Sequence, residues 1–177
     1  MATAEAAGLM APIGEWVVAE AIDQAARMAS GQTRPTRLWV NLSASQLVNL
    51  SRIRQMIVSQ VQMGFDTSWL GFEVTESGLL HDLDRTVAAL TELRGLGVEM
   101  ALDDFGTGYS SLAYLRRLPV SAVKIDRSFV SGVGGSLADT VIVDAVTDLA
   151  HALDLIVVAE GVEELSQLEA LRDAGVV

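Results

Sequence analysis

Hydrophobic and polar positions along the 177-residue chain follow two alternating rhythms. Short apolar runs bounded by turn or polar residues predict buried strands at Arg37 to Leu42, Leu70 to Val74, Val98 to Asp103, Ala122 to Ile125 and Leu155 to Ala159. Between the runs, apolar residues recur at helical spacing. The predicted helices are Glu15 to Met28, Arg52 to Met63, the stretch DLDRTVAALTELRGLG, Ser136 to Leu153, and a last one over roughly Glu164 to Ala174. Gly95 and Gly97 act as stop signals, and Ser136 with Asp139 has the spacing of a capping box. Strand alternating with helix is the signature of repeated βα units around a parallel sheet, either an open doubly wound sheet or a (β/α)8 barrel.

The parity of the strands separates these two architectures. Residues two apart share a face, so Asn41 lies with Trp39, Glu73 with Gly71, Asp103 with Ala101, Lys124 with Ala122, and Glu160 with Val158. The opposite parity is bulky and apolar throughout: Leu38 and Val40, Leu70 and Phe72, Met100 and Leu102, Val123 and Ile125. One face is therefore expected to pack under helices, while the other ends, strand after strand, in a polar group at the carboxyl end. A barrel gathers such ends at its top face, whereas an open sheet spreads them along an edge. The expected fold class is therefore α/β, a TIM-like (β/α)8 barrel. A full barrel takes about 250 residues, and five strands are visible, so the barrel is expected to be incomplete.

Half of the residues are hydrophobic, enough for one core, which predicts a single domain over 1–177. The 23 acidic residues outnumber the 12 basic ones, giving a net charge of -11, and this disfavours nucleic-acid polymers and anionic membranes as partners. An anionic ligand would need a cation or a local basic group. With no cysteine in the chain, disulfides, thiolate metal sites and cysteine nucleophiles are excluded, and the cytoplasm is the expected compartment. The first twenty residues do not read as a signal peptide, and no apolar run approaches the roughly 20 residues of a membrane helix.

Asn41, Glu73, Asp103 and Asp104 form a set of oxygen donors without thiolate or imidazole, which suits Mg²⁺, Mn²⁺ or Ca²⁺. Each has a plainer alternative. Asn41 can cap the turn before Ser43, Glu73 and Glu76 can sit at a helix N-terminus, and Asp103 and Asp104 can open an Asx turn before Gly106. Taken together at equivalent strand ends, these alternatives are less economical than one metal site. Lys124, in a strand otherwise fit for burial, needs a carboxylate partner, either as a structural ion pair or as a group holding a water or phosphate oxygen. Glu160 and Glu163 lie at the turn after the last strand, where a solvated acidic loop is the plain reading. His81 and His151 fall in or beside helical patterns and are expected at helix surfaces or boundaries. The loop GTGYSSLAYL, with Gly106 and Gly108, has the length of a mobile cover.

In order along the chain, VNLSASQL, FEVTES, DDFGTGYSSLAYLRRLPVSAVKIDRSFV and VVAEGVEELSQLEAL closely resemble the EAL domain family of cyclic di-GMP phosphodiesterases. The resemblance begins at AEAAGLMAPIGEWVVAEA and spans nearly the whole chain. It implies a (β/α)8-type barrel that hydrolyses one phosphodiester of cyclic di-GMP to the linear dinucleotide with Mg²⁺ or Mn²⁺ in a two-metal site. By position, Asn41, Glu73 and Asp103 match metal ligands and Asp104 matches the residue reaching a second metal. Lys124 matches the lysine holding the attacking water, and Glu160 a further metal-side carboxylate sometimes assigned as general base. Glu76 matches the anchor of the loop after Asp104, and Glu163 falls on the substrate side. The family context also implies a homodimer and flanking sensor or cyclase domains. The family's namesake Glu-Ala-Leu strand would precede residue 1 and its glutamine-containing strand would follow residue 177. The Glu20 to Ile22 segment is no substitute, because it lies within a helix. Exposed apolar surface, unpaired strand edges and weak or absent turnover are therefore expected. The alternative is a catalytically degenerate EAL domain that binds cyclic di-GMP or a protein.

Overall fold

The structure, a computed structural model, describes residues 9–29, 36–48, 50–76, 82–107 and 112–176. They fall into two compact units. The first holds the described residues up to Val74 and from Asp82 to Met100, and the second holds Thr75, Glu76 and Ala101 onward.

In the first unit, helix α1 (Met10–Ala29) buries Val18, Ala21, Ile22 and Ala25, one apolar stripe at the spacing of a helix face. It starts five residues earlier than the expected Glu15. Pro12 falls in the first turn, where no backbone N–H partner is required. Gly14 is tolerated because a side chain there would collide with Gln46. Strand β1 (Leu38–Leu42) leads into the short helix α2 (Ala44–Val48) and then α3 (Ser51–Gln62), which buries Ile53 and Ile57. A 3₁₀ turn (Thr67–Trp69), capped by Asp66, precedes β2 (Leu70–Thr75). Helix α4 (Leu83–Gly95) is capped by Asp82, whose carboxylate accepts from the Arg85 N–H at 3.1 Å, and the chain turns away from it at Gly97, with φ +87°.

Strands β1 and β2 pair in parallel with unbroken register from Leu38↔Leu70 to Leu42↔Val74. Trp39 lies across Gly71, and the ring occupies the space a Cβ at residue 71 would need. Arg37 packs against that ring, its guanidinium 5.5 Å from the ring centre and its Nε donating to the Ser68 carbonyl at 3.2 Å. A glycine is therefore favoured at the second position of β2 because of a close approach across the ladder.

Strand β3 (Glu99–Phe105) begins in the first unit and ends in the second. The second unit continues with α5 (Leu112–Leu115), β4 (Ala122–Ile125), α6 (Arg127–Val130), α7 (Leu137–Ala152), β5 (Ile156–Ala159) and α8 (Leu165–Asp173). β3, β4 and β5 pair in parallel in that order. Ile125, Val130, Val143, Ala150, Val157 and Leu171 belong to its core. The expected parity holds here: Leu102, Val123 and Ile125 are all at most 2% exposed. Exposed apolar surface appears on β5, where Ile156 and Val158 are 57% and 37% accessible while Val157 is buried.

Ser136 caps α7, accepting from the Asp139 N–H at 3.3 Å. The expected reciprocal half of that capping box is not made, because the Ser136 N–H already donates to the Gly132 carbonyl at 2.7 Å. The reciprocal box stands instead at α8, between Glu164 and Gln167. His151 lies exposed on α7, as expected, while His81 and Gly108 lie outside the described residues. No helix among the described residues is long and apolar enough to cross a membrane.

Candidate metal centre

The two adjacent aspartates owe their geometry to a break in register. β3 and β4 pair Leu102↔Val123 and then Phe105↔Ile125, so Asp103 and Asp104 together face the single residue Lys124. Two residues opposing one is a β-bulge. In a regular strand, neighbouring side chains point to opposite faces. Here Asp104 turns into the left-handed region at φ 56°, a conformation that aspartate adopts more readily than most side chains. Asp103, Asp104 and Glu160 thereby bring one carboxylate oxygen each within 4.8 Å of one another.

Hydrogen bonds fix the bend. The Asp104 N–H donates to Asp103 Oδ1 at 3.1 Å, and the Asp104 carbonyl accepts from the Thr107 hydroxyl at 2.8 Å. Gly106, at φ +95°, donates its N–H to Glu76 Oε2 at 3.3 Å. The Glu76 side chain is buried, and its Oε1 has no hydrogen-bond partner among the described residues.

Lys124 Nζ sits between Asp103 Oδ1, at 3.2 Å, and Glu160 Oε1. Its side chain is 12% exposed and that of Asp103 11%, so both partners of this pair are largely withdrawn from water. Burial, followed by the negative charges of Asp103, Asp126 and Glu160, pushes the Asp104 carboxyl above the ordinary carboxylate range, with Lys124 partly offsetting them. Three carboxylates against one ammonium leave two negative charges uncompensated. The donors are all hard oxygens, so charge and chemistry both fit a divalent cation of the magnesium or manganese type.

Asp126 is a neighbour that the sequence reading passed over. Its carboxylate accepts from the Ser128 N–H at 2.9 Å, capping α6, and hydrogen bonding from the Ser128 side chain, followed by that N–H, holds its carboxyl below the usual range. The signal was available, since Asp126 lies two residues beyond Lys124 and so shares its face. Glu163 sits on the surface and pairs with Arg127 at 2.7 Å. Asn41 and Glu73 are register partners in the first unit, the former exposed and the latter buried.

The EAL domain family model matches residues 1–177. The chain belongs to the EAL domain family. This EAL domain is 42% identical over 170 residues to the cyclic di-GMP phosphodiesterase NbdA of Pseudomonas aeruginosa, a match covering 96% of this chain and 22% of that protein. The chain thus spans less than a quarter of the length of this curated relative. Its structure superposes on the PaMucR phosphodiesterase in complex with c-di-GMP with a TM-score of 0.90 and 40% identity, covering 98% of this chain and 70% of that one. A manganese and cyclic di-GMP complex of BlrP1 from Klebsiella pneumoniae matches at a TM-score of 0.82 and 29% identity, over 93% of this chain and 42% of that one. The barrel architecture expected from strand parity is the fold of these EAL neighbours.

Proposed function

We propose that this EAL domain hydrolyses one phosphodiester of cyclic di-GMP to the linear dinucleotide, and that its two compact units are parts of one partial domain. The observation that carries the reading is the cluster of Asp103, Asp104 and Glu160 with the Lys124 ammonium inside it. Mg²⁺ or Mn²⁺ bound there would supply Lewis acidity to the phosphoryl oxygens and a lowered pKa for a bound water. Asp103 and Asp104 would hold the cation, Asp104 serving a second one if two bind, and the family motif would add Asn41 and Glu73 as further ligands. Lys124 donates to the attacking water and orients its oxygen towards phosphorus. Glu160 takes the proton that the water gives up. A P–O bond forms to that oxygen, the bond to the ribose oxygen breaks, and the leaving ribose oxygen takes a proton from solvent, matching the one that Glu160 removed. Glu76 keeps the segment after Asp104 against the site, and Glu163 flanks the substrate side. A homodimer, flanking sensor or cyclase domains and a cytoplasmic setting belong to the same reading.

Turnover of cyclic di-GMP with Mn²⁺, compared between the parent chain and Asp103→Asn and followed by separation of products, tests it. Linear dinucleotide from the parent and none from the variant is the expected result. A folded parent that binds cyclic di-GMP but yields no product would replace the hydrolase reading with that of a binding module.

A further inference from the structure

Glu160 lies on a segment without regular secondary structure, residues 160–164, yet its carboxylate has to meet two others and an ammonium. Three anchors hold that segment. At its front, the Glu160 N–H donates to the Ile125 carbonyl at 3.1 Å, extending the β4–β5 ladder by one bond. In the middle, Gly161 has φ +69° and lies under the Arg127 stem, whose Cγ and Cδ would be 2.5 Å and 2.9 Å from any Cβ there. At the back, the Gln167 side-chain oxygen accepts from the N–H groups of Glu163 at 2.9 Å and Glu164 at 3.0 Å. Its Nε2 donates to the Ser131 carbonyl at 3.3 Å.

Of the side chains in these anchors, Gln167 is the buried one, at 7% exposure. The Arg127–Glu163 ion pair is 64% and 63% exposed and holds little. The amide of Gln167 does two separable things. As an acceptor it caps α8, and as a donor it ties the acidic segment to Ser131, just past α6, the helix that Asp126 caps two residues beyond Lys124. We propose that Gln167 is a positioning residue, which through its bridge to Ser131 holds the Glu160 segment in register with Asp103, Asp104 and Lys124. The inference rests on the metal reading above and adds to it the residue that sets where Glu160 stands.

Mn²⁺ binding to the full chain, followed by the electron paramagnetic resonance of the free ion, tests this without recourse to turnover. Folding of each variant is checked by circular dichroism. Gln167→Glu keeps the acceptor oxygens of the cap and removes the donor to Ser131, so it separates bridging from capping and does not depend on Gln167→Ala folding. Outer partners of metal-binding carboxylates are worth roughly 10–100-fold in affinity, and Gln167→Glu is expected to weaken Mn²⁺ binding by about 10-fold. In a Glu160→Gln background, the same change is expected to do nothing more. Parent-like affinity in Gln167→Glu, or a full second loss in the Glu160→Gln background, would overturn the proposal and leave Gln167 as a helix cap only. Equal Mn²⁺ binding by the parent and Asp103→Asn would overturn the metal reading and the positioning role with it.

Discussion

Two strand pairs of this molecule solve the same problem differently. β1 and β2 keep one-to-one register over five residue pairs and deliver one polar group each, Asn41 and Glu73, as direct partners. β3 and β4 lose register by one residue and deliver two carboxylates, Asp103 and Asp104, against one ammonium. The regular pair is conformationally cheap, and its interior demand is steric, a glycine under a tryptophan. The bulged pair gathers more charge in less space. Its costs are a left-handed aspartate and a carboxyl whose ionisation is resisted by its surroundings. Charge density at a strand end is thus obtained from a backbone irregularity that a regular ladder cannot supply.

The sharpest way to break the contrast is Lys124→Met. It removes the ammonium against which the bulge is balanced, and turnover is expected to fall by about 10²–10³-fold, the usual cost of losing one preorganised donor to a developing charge. Product chromatography at saturating Mn²⁺ reads this outcome. A variant that keeps parent-like turnover would restrict Lys124 to an ion pair.

The regular pair is tested by Gly71→Ala. The new Cβ meets the Trp39 ring and the Arg37 Cδ, which would lie 2.8 Å away, so a loss of about 1–3 kcal/mol is expected from overpacking. Urea unfolding measures it, and an unchanged midpoint would show that the indole swings clear at no cost.

The smallest effect sharpens the bulge itself. The Asp104 carboxyl titrates above its ordinary value of 3.8 in the folded chain. Between that value and the raised folded one, the folded state binds more protons than the unfolded state, so this group's contribution is fully present below 3.8 and is lost as pH rises through the folded pKa. Asp104→Asn keeps a residue tolerant of left-handed backbone and removes the titration. Without metal, the variant is expected to gain stability relative to the parent as pH rises through that window, and Mn²⁺ is expected to erase the gain. A pH-independent difference in thermal midpoint would contradict the assignment.

Much of this was legible in the amino-acid order. β4 was read to the residue, and the other strands lie within about two residues of their expected ends, because short β-rich runs between polar breaks leave few alternatives. The pairing of Lys124 with the acidic cluster followed from the cost of burying an unpaired lysine. The bulge was invisible, since Asp103 and Asp104 are both polar and a register slip between polar residues leaves no mark in a hydropathy pattern. Helices α2, α5 and α6 were missed for a different reason: four or five residues do not complete enough turns to show a period of 3.6. Gln167 was hidden by its chemistry, because a glutamine in the first turn of a helix looks like an ordinary surface residue until its amide is found between two segments.

The register slip at β3 also has an arithmetic of its own. Deleting either Asp103 or Asp104 would leave one residue opposite Lys124, remove the need for the left-handed turn and take one carboxylate out of the cluster in a single step. Loss of chemistry and gain of regularity then coincide in one codon. A domain built on such a slip lies one deletion away from a more regular one that keeps the sheet and gives up part of its charge.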